Sequence, residues 1–343
     1  MFHKSRIYPI ILIIVLFAVW KYRESGRLRV VSLSGTTMGT TYSIKYLSKD
    51  GTGYQQEVDS LLLVFNQSLS TYIPNSEISR FNRDTVFYFK LPFFLPVLEE
   101  SKRVYVATDG AFDPTVMPLV RAWGFGSDQS QIPDSTIIDS LLQFVGFDKI
   151  SFDSKMVTKS KPGVELDFSA VAKGYGVDVI GTWLADHGIN NYFIEIGGEV
   201  KCKGVNNKGQ PWRIGIEDPT HEINNRAAKA IVELQNRAMA TSGNYRNYYV
   251  VDSLWYSHTI DPATGFPIRH ALLSATVFAD DCITADAYAT AFMVAGVEKA
   301  RQMIEENPGI GGFLIYRDKT GKLRTFTSRE AGDIQILNDS GSK

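Results

Sequence analysis

Between Val164 and Phe168 apolar and polar side chains alternate, and from Ser169 onward the apolar positions shift to helical spacing through Ala170, Val171, Ala172, Val177, Ile180 and Leu184. That change of period predicts a strand that turns into a helix, with Asp167 or Ser169 at the N-cap. A second helical pattern opens at Asp280 and runs on through Phe292, Met293, Val294 and Val297. Amphipathic spacing predicts further helices over Val58 to Leu69, Leu95 to Thr108 and Ile137 to Val145, the last two stopped by Asp109-Gly110 and Gly146. Strands are predicted at Thr41 to Leu47, Tyr192 to Ile196, Val200 to Gly204, Trp212 to Glu217, Ala230 to Leu234, Tyr248 to Val251, Phe313 to Tyr316 and Leu323 to Phe326. Ile150 to Phe168 reads as a hairpin around Lys161-Pro162-Gly163. A first strand, then helices, then many antiparallel-looking strands with two crossing helices predict an α+β fold with a mixed, mostly antiparallel sheet.

The chain of 343 residues has 44% apolar and 21% charged side chains, enough for a large core in one or two closely joined domains. Its formal net charge of −1 and the lack of a long basic block argue against nucleic acid as a partner. Two cysteines, Cys202 and Cys282, are too few for a disulfide scaffold and read as buried free thiols. Ile7 to Trp20 is nearly all apolar, with His3, Lys4 and Arg6 before it and Lys21 and Arg23 after it. As a helix at ~1.5 Å per residue it reaches about 21 Å, short of the ~30 Å hydrocarbon core. No small-x-small cleavage site follows, so it reads as an uncleaved signal-anchor. The expected organisation is 1–26 anchor and flank, 27–36 linker, 37–335 one globular domain and 336–343 tail.

Three segments carry candidate chemistry. The helix start after Asp167 offers unpaired N–H groups and a positive dipole end, with Lys173 one turn in, and so suits a phosphate. Gly174 and Gly176 thin that helix so that another backbone or a ligand can come close. The same features also describe a capped helix on a sheet. Asp286 and Thr290 are four apart and share a helix face. Their carboxylate and hydroxyl, with a backbone carbonyl, would leave positions open for phosphate oxygens around Mg²⁺; the acids could equally complement the helix dipole. His258 precedes the turn Asp261-Pro262-Ala263-Thr264-Gly265, where Pro262 presets φ and Gly265 supplies φ > 0.

In order, these segments resemble the ApbE family of FAD:protein FMN transferases. The resemblance extends to Thr37-Met38-Gly39-Thr40, Leu69-Ser70-Thr71-Tyr72, Ser76 to Asn82, Gly110 to Val116, Ile196-Gly197-Gly198-Glu199 and Ala240 to Tyr245. Met117 stands where the family more often has Gly, and Asp167-Phe168-Ser169-Ala170 replaces a more usual Asp-Leu-Gly-Gly-type run. No cysteine follows the N-terminal apolar stretch, so the lipoprotein anchor of many members is absent. The resemblance implies a T-fold-like architecture and Mg²⁺-dependent transfer of FMN from FAD to a Ser or Thr hydroxyl of an acceptor protein, releasing AMP.

It further implies that Ala170 (through its carbonyl), Asp286 and Thr290 hold the metal and that His258 is the general base. Met38, Tyr72, Ala111, Phe112, Asp113, Asp167, Lys173 and Ile260 would hold FAD. Acceptors are expected to carry a Ser/Thr-Gly-Ala-Ser/Thr-like segment and to be membrane redox subunits, with this domain on the periplasmic side of a bacterial inner membrane. Metal-dependent FAD hydrolysis to FMN and AMP, a non-catalytic FAD-binding module and redox use of bound FAD are the competing readings.

Overall fold

Eight antiparallel strands follow one another in chain order across the main sheet of the computed structural model, which describes residues 28–125, 132–220, 228–244, 248–251, 254–257 and 259–337. They are β1 (Arg29–Thr37), β2 (Thr40–Ser48), β3 (Tyr192–Ile196), β4 (Glu199–Lys203), β5 (Arg237–Gly243), β6 (Leu272–Ala279), β7 (Gly311–Arg317) and β8 (Leu323–Thr327). Side chains alternate across it as the pleat requires. Ile194, Ile196, Ala238, Ala240, Ala275, Val277 and Leu314 point to one face, which the helices cover. Phe193, Val200, Cys202, Met239, Phe278, Phe313 and Ile315 point to the other. A three-stranded sheet of Trp212–Glu217, Ala228–Leu234 and Ile334–Ile336 covers that second face through Trp212, Ile216, Val232 and Leu234. Cys202 and Cys282 are buried free thiols.

Four long helices pack on the first face: α1 (Gln55–Leu69), α2 (Phe94–Ala107), α3 (Ala172–Asp186) and α4 (Cys282–Glu306). Alanines at 285, 287, 289 and 291 meet Ala240, Ala275 and Ala279 within one core, so α4 can lie close to the sheet. A break at Gly296 (φ 77°) interrupts α4, and His270 Nε2–H donates to the Met293 carbonyl there at 2.6 Å. The short helices Met117–Ala122 and Ser135–Leu142 form a satellite core with Trp123, Val145 and Ile260.

Neither α3 nor α4 has a side-chain cap from its own N-cap residue, Val171 or Asp281. Each is capped by the other. Asp178 of α3 accepts the Cys282 and Ile283 N–H groups at 3.0 and 2.8 Å. Asp286 of α4 accepts the Gly174 N–H at 2.9 Å. The pairing 174 with 286 and 178 with 282 makes the helices antiparallel where their first turns overlap. Lys201, reaching from β4, bonds Asp178 at 2.6 Å and Asp281 at 3.0 Å.

Several elements differ from the sequence pattern. Residues expected as a linker form β1, paired with β2 along its whole length. The expected hairpin turns earlier, at Asp153 to Lys155, joining Ile150–Phe152 to Met156–Lys159, which also pairs with Val86–Tyr88. Val164 to Phe168 forms no strand. Its alternation is real, because Val164, Leu166 and Phe168 are all buried, but its backbone is satisfied by side chains and by one loop. Asn82 bonds both backbone groups of Leu166, Lys159 Nζ donates to the Val164 carbonyl, and Asp167 N–H donates to Pro114. β5 and β6 escaped the pattern because β5 is small and polar and β6 is apolar on both faces.

The close approach of α3 and α4 depends on Gly174. A Cβ there would overlap the Cys282 carbonyl oxygen and lie 2.8 Å from Asp286 Cβ. Gly→Ala inside a helix ordinarily gains about 1 kcal/mol. Gly174→Ala is instead expected to lose about 1–3 kcal/mol, measured by urea unfolding against Gly309→Ala, whose Cβ would meet nothing within 4 Å. Equal stability of the two variants would remove this constraint.

Candidate active site

A cleft of about 680 Å³ opens beside the overlapping starts of α3 and α4. Its walls also come from the 111–116 segment, the edge strand Trp212–Glu217 of the small sheet and the turn at 259–262. Tyr72, Ala111, Phe112, Asp113, Asp167, Ala170, Lys173, Ile260, Asp286 and Thr290 all line it. Residues from five separated stretches, singled out by sequence, thus share one cavity. His258 lies outside the described residues. Met38 does not line the cleft: it sits at φ 50° in the Met38-Gly39 turn between β1 and β2, against the core under Gly176. A residue in that left-handed region costs energy unless a tight turn requires it.

The capping exchange creates a set of oxygen donors. In an uninterrupted helix the Gly174 N–H would close on the Ala170 carbonyl. It goes to Asp286 Oδ2 instead, and among the described residues no hydrogen bond reaches the Ala170 carbonyl. Asp286 Oδ1 is left facing the Lys173 ammonium at 3.9 Å. One turn on, Thr290 Oγ1 lies 3.4 Å from Ser242 Oγ. One carboxylate oxygen, one hydroxyl and one free carbonyl are hard donors of the kind Mg²⁺ takes when phosphates complete its shell. Among the described residues no three His, Cys, Asp or Glu side chains group as a closed metal site. The helix start, which the sequence offers as an anion site, has two of its first-turn N–H groups already taken. Asp286 occupies the Gly174 N–H, and the Ala172 N–H donates to Phe168. The expected cap residues form a local turn instead, with Ser169 N–H and Oγ–H both donating to Asp167 Oδ1 at 2.9 and 2.5 Å.

Positive charge at this end comes from Lys173. Burial alone would lower its pKa, but Asp286 and Glu199 outweigh burial and raise it above the ordinary lysine value. Glu199 accepts from Lys173 at 2.9 Å. Burial raises the Glu199 carboxyl, with Lys173 opposing and Asp286 adding. The sequence placed Glu199 in a motif without assigning it a part. The signal was an acid directly after a Gly197-Gly198 turn, both at positive φ, which sets its side chain in the cleft.

Tyr72 stands at the rim with 78% of its surface exposed, a flat face with no ring partner among the described residues. Asp113 is buried, and its Oδ1 accepts from Thr115 N–H and Oγ–H at 2.8 and 2.6 Å. Burial pushes its pKa up to about 6 against these bonds. Ile260 belongs to the satellite core and bridges Pro267, so it braces the cleft wall. The turn forms as expected: Gly265 has φ 75°, its carbonyl accepts from Trp123 Nε1 at 2.8 Å, and Asp261 Oδ1 accepts the Ala263 N–H at 2.9 Å.

Comparison with known proteins adds an independent line. A family model described as the ApbE family matches residues 38–314. A FAD:protein FMN transferase of Vibrio cholerae is 42% identical over 288 residues, covering 81% of this chain and 85% of that protein. One of Haemophilus influenzae is 40% identical over 327 residues, covering 91% and 92%. Among solved structures, the flavin transferase ApbE from Vibrio cholerae superposes with a TM-score of 0.79 at 38% identity, over 89% of this chain and 98% of that one. The apo flavinyl transferase ApbE of Pseudomonas stutzeri gives 0.80 at 35% identity, over 89% and 96%.

Asp113 makes the stability of the fold depend on pH. Its folded pKa of about 6 lies above the ordinary aspartate value of 3.8, so the fold favours the protonated form. That contribution is complete below pH ~4 and is lost as pH rises through ~6. Between pH 4 and pH 7 the wild type is expected to lose about 2.4 kcal/mol relative to Asp113→Asn. Urea unfolding of both proteins at the two pH values reads it, and a constant difference would contradict it.

Proposed function

The chain belongs to the ApbE family, and on that premise we propose that it transfers the FMN half of FAD to a Ser or Thr hydroxyl of an acceptor protein, with Mg²⁺, releasing AMP. The observation that carries this reading is the convergence of Lys173, Asp286 Oδ1, Thr290 Oγ1 and the free Ala170 carbonyl at one end of the cleft. Such a cluster suits a pyrophosphate, and an exposed aromatic at the rim, Tyr72, suits a flat ring.

In the reaction the acceptor oxygen bonds to the flavin-side phosphorus. The bond from that phosphorus to the bridging oxygen breaks, and AMP leaves with the bridging oxygen. Negative charge is spread over phosphate oxygens, so catalysis calls for positioning and fixed positive charge. Mg²⁺ held by Asp286, Thr290 and Ala170 would supply most of that charge. Lys173 contributes a full charge from a half-buried, paired position. His258 is proposed to take the hydroxyl proton, since an unperturbed imidazole titrates near neutral pH. Asp261, already engaged by Ala263 N–H, helps hold the turn two residues beyond it.

The direct test incubates the protein with FAD, Mg²⁺ and an acceptor carrying a Ser/Thr-Gly-Ala-Ser/Thr-like segment. Intact mass of the acceptor should rise by the FMN moiety while AMP appears. Free FMN with an unmodified acceptor would make the protein a pyrophosphatase, and no AMP at all would make it a binding module. Asp286→Asn keeps an acceptor for the Gly174 N–H and removes the charge. It should cut the rate at least ~10²-fold without loss of fold. His258→Ala should lower the rate by ~10²–10⁴-fold at unchanged FAD affinity. Near-normal turnover in either variant refutes the role given to that residue.

We also place the catalytic domain on the periplasmic side of a bacterial inner membrane, tethered by residues 7–20. That segment lies outside the described residues, and no helix among the described residues is long and apolar enough to cross a membrane. The tether is supported by the apolar run with no small-x-small cleavage site after it. Basic residues flank the run on both sides, so the orientation rests on the expected acceptors, membrane redox subunits, and not on charge. Protease added to spheroplasts should digest the domain; protection would reverse the orientation.

A further inference from the structure

Lys173 sits between two buried carboxylates at unequal distances. Its Nζ is 2.9 Å from Glu199 Oε1 and 3.9 Å from Asp286 Oδ1, so only the first contact is a hydrogen bond. The path to Glu199 is built in. The Lys173 stem passes over Gly197, where a Cβ would lie 3.2 Å from Lys173 Cδ. Glu199 is 3% exposed, and its Oε2 is buried with no hydrogen-bond partner among the described residues. A buried carboxylate that uses half of its capacity is costly, and such groups in native structures usually have a task beyond packing. Asp286, with Oδ2 committed to Gly174 N–H, has one oxygen left.

An ammonium hydrogen-bonded to that oxygen and a divalent cation bound to it compete, because two cations on one oxygen repel each other and each draws on the same negative charge. Without the Glu199 charge, Asp286 would be the nearest carboxylate able to neutralise Lys173, whose flexible four-carbon stem can close the remaining gap.

We propose that Glu199 is a positioning residue that holds the Lys173 ammonium off Asp286 and so keeps Asp286 Oδ1 open to the divalent cation. The inference rests on the metal reading given under the proposed function, and its test separates the two. Mn²⁺ binding to the full chain without FAD is followed by electron paramagnetic resonance. The Mg²⁺ midpoint for FAD conversion is measured in parallel. The wild type, Glu199→Gln, Lys173→Met and the double variant are compared.

Glu199→Gln is expected to weaken Mn²⁺ binding about tenfold and to raise the Mg²⁺ midpoint by a similar factor. Adding Lys173→Met should restore the Mn²⁺ affinity. A uniform field effect of the lost charge would make the two substitutions additive. A released lysine makes the gain from Lys173→Met several-fold larger in the Gln background than in the wild type. Equal Mn²⁺ affinity of wild type and Glu199→Gln, or equal gains in the two backgrounds, overturns the inference and leaves the metal reading standing. A wild type that binds no Mn²⁺ and converts FAD without Mg²⁺ overturns the metal reading and this inference with it.

Discussion

Two helix starts that cap each other govern this molecule. A helix N-terminus leaves backbone N–H groups without partners, and burying them unmet is expensive. Here neither start has a cap of its own, and the remedy crosses from α3 to α4 in both directions through Asp178 and Asp286. The exchange requires overlapping first turns, which in turn requires a residue without a side chain at Gly174. It also sets the chemistry. Diverting one N–H to Asp286 fixes that carboxylate's rotamer and strips the Ala170 carbonyl of its helical donor. Packing and function therefore meet in one hydrogen bond, and the donor set forms only when the two helices dock.

The same junction accounts for the charges around it. A buried carboxylate needs a partner. Asp178 has Lys201, and Asp286 shares Lys173 with Glu199. The first group, which also engages Asp281 at the surface, lies outside the cleft and is structural. The second borders the cleft and, counted as ionised groups, carries two buried negative charges against one positive. That imbalance favours arrival of a cation, and a bound cation then favours a pyrophosphate. Aspartates that look equivalent as first-turn acids in the sequence thus divide by what surrounds them.

Much of this was legible in the sequence. The helices at 55–69, 94–107, 172–186 and 282–306 and the strand at 192–196 follow their periodicity. The i, i+4 spacing of Asp286 and Thr290 does put both on the cleft. The prediction that Gly174 and Gly176 admit a close neighbour holds, the neighbours being Cys282 and Met38. Failures occurred where a side chain from far along the chain did work that local pattern assigns to backbone. Val164 to Phe168 alternates like a strand, yet Asn82 and Lys159 satisfy much of its backbone. Asp167 and Ser169 have cap chemistry, yet spend it on each other, while the actual cap is 112 positions away. No local window contains such partners.

The order of the sheet explains how so scattered a set of residues converges. Its strands run in sequence, so every neighbour is antiparallel and the hydrogen-bonded frame is independent of what the connections contain. Long excursions leave between β2 and β3, β4 and β5, β5 and β6, and β6 and β7. Each sends residues to the same cleft: Tyr72, Asp113 and Lys173 from the first, Ile214 and Glu217 from the second, Ile260 from the third, Asp286 and Thr290 from the last. Excursions of this kind tolerate changes of length at small entropic cost. The overlapping starts of α3 and α4 do not, because a shift of one residue in either helix would rotate its aspartate away from the other's N–H groups. Variation in such a scaffold is therefore free at the rim, where Tyr72 stands, and is stopped at the pair of helix starts that hold the oxygen donors.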